Sequence, residues 1–105
     1  MITAKQRQFL RGRAQTIAPM FQVGKNGITS SVLRQIQTQI NTQELLKISI
    51  LSNSTITADE LIDQVRQFDS KIQYVQDIGH TVILYKRAPQ IAKRHLSLEV
   101  DQIAR

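Results

Sequence analysis

The run Leu45-Leu46-Lys47-Ile48-Ser49-Ile50-Leu51 constrains the fold most, because its alternation turns Leu46, Ile48 and Ile50 to one side and Lys47 and Ser49 to the other. A strand of that polarity predicts a sheet covered by helices mainly on one face. On either side of it the hydrophobic period becomes that of a helix. Upstream, Val32, Leu33, Ile36 and Ile40 form one stripe, with Thr29, Ser30 or Ser31 available as the cap. Downstream, Thr57-Ala58-Asp59-Glu60 reads as a capping box, and Ala58, Leu61, Ile62, Val65 and Phe68 form the cleanest stripe in the chain.

The ends of the chain extend this alternation. Thr3 is positioned to cap a first helix reaching about Gln15, with Phe9, Leu10, Ala14 and Ile17 within one arc. Ala18-Pro19 stops that helix, and Met20 to Val23 reads as a short strand. Lys71 to Ile78 and Thr81 to Lys86 predict a hairpin turning at Gly79-His80. The order is therefore α-β-α-β-α-β-β, which predicts a two-layer α/β domain on a mixed four-stranded sheet over residues 1–87. Residues 88–105 are expected to be a basic tail, partly helical around Ile91 to Leu96 or disordered.

Charge narrows the partners. The chain carries a net +6, which favours polyanions. It is unevenly distributed: residues 1–43 hold Lys5, Arg7, Arg11, Arg13, Lys25 and Arg34 and no carboxylate, whereas residues 44–85 are net acidic. Within the acid-free stretch, Gly24-Lys25-Asn26-Gly27 lies between a predicted strand and a predicted helix, where backbone N–H groups favour an anion. A glycine-flanked turn there also serves conformation alone. The loop lacks the Gly-Lys-Ser/Thr ending of a P-loop, so nucleotide hydrolysis is not implied. Arg7 and Arg11 stand one helical turn apart and repel by ~0.2 to 0.5 kcal/mol, which a phosphate between them relieves.

No catalytic set assembles from the residues. The chain has no cysteine, its two histidines stand at His80 in a turn and His95 in the tail, and Asp59, Glu60, Asp63 and Asp69 read as dipole partners and surface charge along one helix. No metal or cofactor is expected. Tyr74 and Tyr85 are of the type that stacks on bases, but with only five aromatics in the chain the sheet has first claim on them. No run is long enough to span a bilayer and none has the length of a signal peptide, so the expected location is the cytoplasm.

Leu10-Arg11 with Ala14, Pro19, Val23-Gly24-Lys25-Asn26-Gly27-Ile28-Thr29, Val32, Glu44-Leu45 with Lys47, Gly79 and Ile83-Leu84-Tyr85-Lys86 together resemble the CRM-domain family, in its small stand-alone bacterial YhbY type. The resemblance implies a fold similar to the C-terminal domain of translation initiation factor three. It also implies RNA binding through the GXXG loop and association with precursors of the large ribosomal subunit. By position it carries over Gly24, Lys25, Asn26, Gly27, Arg11 and Lys86 as RNA-binding residues; Arg7, Arg34 and Arg87 are added on charge and placement. The competing expectation is a basic module that docks on an acidic ribosomal or translation protein without touching RNA.

Overall fold

Three threonines start the three long helices. A computed structural model of the chain describes residues 2–19 and 21–103. In it, α1 (Ala4–Ala14), α2 (Ser30–Gln43) and α3 (Ala58–Phe68) are capped by Thr3, Thr29 and Thr57, whose side chains accept from the backbone N–H of Gln6, Val32 and Glu60. Each satisfies one of the donors that a helix start leaves open. Between and after them run β1 (Phe21–Val23), β2 (Leu45–Ile50), β3 (Gln73–Ile78) and β4 (Thr81–Tyr85). A 3-10 turn at Ile91–Lys93 and a short helix α4 (Leu96–Asp101) follow. Met20, expected to open the first strand, lies outside the described residues.

The sheet is mixed and has the order β1-β2-β4-β3. β1 runs parallel to β2, with Phe21 opposite Ile48 and Val23 opposite Ile50. β4 is antiparallel to both neighbours, and Gly79, at φ 58°, turns the β3–β4 hairpin. A register shift between Tyr74 and Gln76 interrupts the alternation expected of β3. Val75 is buried as a result, and Ile78 is left largely in solvent.

The expected mixed sheet is there, but helices cover both of its faces, which corrects the two-layer expectation. α2 and α3 bring Ile36, Ile40, Leu61 and Val65 onto Leu46, Ile48, Ile50, Val82 and Leu84. On the other face Leu10 and Ala14 of α1 and Leu96 and Val100 of α4 meet Leu45, Val75, Ile83 and Tyr85. β2 shows why the second layer is hard to read: its outer face holds Lys47 and Ser49, both half-buried. Lys47 reaches under α1, and its Nζ donates to the carbonyls of Ala14 at 3.3 Å and Ile17 at 3.2 Å. A polar residue on a strand thus marks a helix C-terminus lying over it.

Residues 88–103, expected as a tail, complete that second core. Glu44 organises them. It follows α2 at φ 67°, a backbone region that usually holds glycine, and it is fully buried. Its carboxylate accepts from the backbone N–H of Ala88 at 2.8 Å, His95 at 2.9 Å and Ser97 at 3.0 Å. Burial alone would raise its pKa, but the bonds from Ala88, Ser97 and His95 together hold it below the usual value. The expected helical region of Ile91 to Leu96 holds the 3-10 turn Ile91–Lys93, and the α-helix itself runs over Leu96–Asp101.

Candidate nucleic-acid interface

The strand directions define two ends of the sheet. β1 and β2 both finish at one end, where the hairpin turn also lies, since Ile50 donates its N–H to the His80 carbonyl at 2.6 Å. β2 starts and β4 finishes at the opposite end, with Leu45 beside Tyr85. Along β2 the two ends are roughly 17 Å apart, at ~3.3 Å per residue.

Gly24, Lys25, Asn26 and Gly27 occupy the first end. They form a turn closed by the Gly27 N–H on the Gly24 carbonyl at 3.0 Å, which leaves Lys25 and Asn26 exposed at its tip. Among the described residues the backbone N–H groups of Lys25 and Asn26 donate to no protein acceptor. Only Gly27, at φ 67°, needs the freedom of glycine. A methyl group on Gly24 would meet Leu51 Cδ1 at 3.5 Å and Asn53 Oδ1 at 3.7 Å, ordinary contacts. Ile28 and Thr29 separate the turn from the start of α2, whose Thr29, Ser30 and Ser31 are also exposed.

Arg34 is exposed on the second turn of α2 and joins this end. Arg11 stands midway along β3, its Nε bonded to the side chain of Gln76. Arg7 lies lower on α1, half-buried, and its Nε is enclosed without a hydrogen-bond acceptor among the described residues. Arg87 projects at the opposite end, where it pairs with Asp101 on the surface.

Lys86 corrects the sequence expectation. It is 5% exposed, and its Nζ sits 2.6 Å from Asp69 Oδ2 and 2.5 Å from Asn41 Oδ1. The inward turn of the chain after Tyr85, with the Lys86 N–H on the Glu44 carbonyl at 2.9 Å, aims this side chain into the gap between α2 and α3. Although Lys86 borders the cleft described below, its ammonium is engaged by Asp69 and Asn41 rather than projecting outward. Asp69 changes role with it. Burial would raise this carboxyl, but bonds from Lys86, Gln37 and the Lys71 N–H outweigh burial and lower its pKa. Tyr85 is likewise interior, and burial, with the Glu44 and Asp101 charges, pushes its hydroxyl up to about 12. Tyr74 is half-buried, and its hydroxyl bonds Asp77.

The acid-free stretch of sequence does not become an acid-free end in space. Asp59 and Glu60 at the start of α3 and Asp77 near the end of β3 share the loop end of the sheet. The densest collection of cations is at the other end. There an open cleft of about 820 Å³ is lined by Arg7, Arg66, Lys71, Arg87 and Arg94, with Tyr74 in its wall. Arg66, Lys71 and Arg94 were not expected in a site. Arg66 and Lys71 lie in the net-acidic part of the chain, and a segment's net charge says nothing of where each side chain points. Among the described residues no group of three or more His, Cys, Asp or Glu is placed to hold a metal, and no helix is long and apolar enough to cross a membrane.

Comparison with known proteins points to one family. The CRS1 / YhbY (CRM) domain matches residues 2–86. The chain is 37% identical over 90 residues to "Probable RNA-binding protein YqeI" of Bacillus subtilis, covering 86% of this chain and 93% of that protein. It is 34% identical over 85 residues to a Haemophilus influenzae protein named "RNA-binding protein", covering 81% and 85% of the two chains. Among solved structures, the solution structure of the hypothetical protein SAV1595 from Staphylococcus aureus aligns over 90% of this chain and 98% of its own, with a TM-score of 0.65 and 30% identity.

Proposed function

The chain belongs to the CRS1/YhbY (CRM) family, and on that premise we propose that it is a non-catalytic RNA-binding protein whose Gly24–Gly27 turn clamps the phosphate backbone. The observation that carries this reading is the turn's form. It is closed by its own hydrogen bond and capped by two exposed residues, a lysine and an asparagine, whose N–H groups are free of protein acceptors. Lys25 supplies charge, the free amides supply donors, and Arg34 and Arg11 extend the contact along α2 and β3. Such a clamp recognises backbone and shape rather than sequence. The relatives' names support RNA as the partner. The resemblance to the YhbY type favours ribosomal RNA in precursors of the large subunit, met in the cytoplasm during assembly.

With about three to five phosphates neutralised, log affinity falls against log salt with a slope of about −2 to −4.5. Replacing Lys25 and Asn26 together by aspartate tests the clamp. Binding of purified large-subunit RNA should weaken by about tenfold or more, since each lost charge-assisted contact is worth ~1.5 kcal/mol or above. Equal binding by the variant, or an affinity indifferent to salt, would mean that the turn is not the clamp. Equal RNA binding with loss of an acidic protein partner would favour the docking alternative.

A further inference from the structure

We infer that the cleft at the far end of the sheet is a second binding site for RNA backbone, so that the protein grips two segments of one RNA from opposite ends; this rests on the RNA-binding reading above. Besides Lys86, which is held by Asp69, five cations from four parts of the chain converge there: Arg7 from α1, Arg66 from α3, Lys71 from the loop before β3, and Arg87 and Arg94 from the segment after β4. Among the described residues Arg7, Arg66, Lys71 and Arg94 form no ion pair with a carboxylate. Arg87 is paired with Asp101, but both side chains are more than a third exposed, and such surface pairs contribute only ~0 to 1 kcal/mol, which a phosphate displaces easily.

The Arg7 Nε is the most specific sign. It is enclosed, yet it has no acceptor among the described residues. Enclosed donors are rarely left unpaired in folded proteins. An anionic oxygen entering the cleft beside Arg7 would satisfy it. Four of the five cations are arginines, whose planar fork suits phosphate oxygens bidentately. The volume of about 820 Å³ is within the ~300 to 1,000 Å³ range of ligand clefts. Arg94 also donates its Nε to the Ala88 carbonyl at 2.9 Å, which holds one wall in place. The loop end cannot include this site, because the length of the sheet separates them.

The test uses the full chain, labelled with nitrogen-15, titrated with tetrauridylate, which is short enough to occupy one end at a time. Two groups of amides should move and saturate separately: those of residues 24–27, and those of Lys71, Gln73 and Ala88. Arg66→Glu with Lys71→Glu, both at exposed positions, should abolish the second group only. Lys25→Asp with Asn26→Asp should abolish the first only. Because the two sites act on one RNA, the cleft variant should also bind large-subunit RNA ~10²-fold more weakly. Shifts confined to the turn, or cleft shifts that survive Arg66→Glu with Lys71→Glu, overturn the inference. Equal cleft shifts with hexaglutamate would make the cleft a protein-docking surface and also overturn it. Cleft shifts without turn shifts would leave the cleft as the RNA site but refute the clamp, and with it the two-ended grip. No shifts at either end overturn both.

Discussion

Replacing Lys86 by methionine separates a buried ion pair from an RNA contact. The native ammonium lies 2.6 Å from Asp69 Oδ2, and the side chains are 6% and 9% exposed. Lys86→Met keeps most of the volume but leaves the Asp69 carboxylate with only Gln37 and the Lys71 N–H as partners, at 3.1 and 3.0 Å. Breaking a buried pair on one side costs about 3 to 5 kcal/mol. For a domain near 100 residues, at roughly 4 °C per kcal/mol, the melting temperature should fall by about 12 to 20 °C.

The pH dependence has a definite sign. In the native protein Asp69 titrates below its ordinary 3.8, so its contribution is present above that value and is lost as pH falls through the folded pKa. Burial is the largest single influence on Asp69, and without Lys86 the strongest opposing one is gone, so its pKa should rise from its native position. The variant's deficit is then greatest at neutral pH and shrinks on acidification, as Asp69 takes up a proton. Urea denaturation of both proteins at pH 7 and pH 4.5 measures this, and adding Asp69→Asn to the variant should recover much of the loss. RNA affinity of the folded variant should stay within about twofold of native. A loss of stability under 1 kcal/mol joined to a tenfold loss of RNA affinity would refute the assignment of Lys86 to the interior.

Other perturbations address the turn and the C-terminal segment. Gly27→Ala should cost ~1 to 2 kcal/mol in urea denaturation, because φ is 67° and nothing lies within 4 Å of the added methyl, so the cost is in the backbone. Gly24→Ala should stay within ~0.5 kcal/mol; an equal loss at both positions would contradict the turn geometry. Glu44→Gln should destabilise by about 2 to 3 kcal/mol and speed hydrogen exchange at Ala88, His95 and Ser97. Because the Glu44 pKa is lowered from 4.5, the native stability it contributes is lost as pH falls through its folded value. That part of the acid sensitivity should be missing from Glu44→Gln; unchanged exchange at the three amides would exclude the organising role of Glu44.

Local signals were sufficient wherever the cause was local. The threonine caps, the stripes of α2 and α3, the hairpin at Gly79 and the Gly24–Gly27 turn each depend on residues within a few positions of one another, and periodicity and side-chain chemistry carry that information. The exposed turn was legible for the same reason. Lys86, Asp69 and Glu44 were not. Their environments come from partners 17 to 53 positions away, and a lysine after a strand reads the same whether it turns outward or meets a carboxylate inside. The second helical layer was hidden because Lys47, polar on its strand, is covered by the helix end it serves. Likewise, charge summed along the chain pointed to the N-terminal stretch, while folding gathered Arg7, Arg66, Lys71, Arg87 and Arg94 at the end of the sheet farthest from the turn. Secondary structure follows from neighbours in sequence, but burial and electrostatic potential follow from neighbours in space, which only the packed sheet and its two helical layers decide.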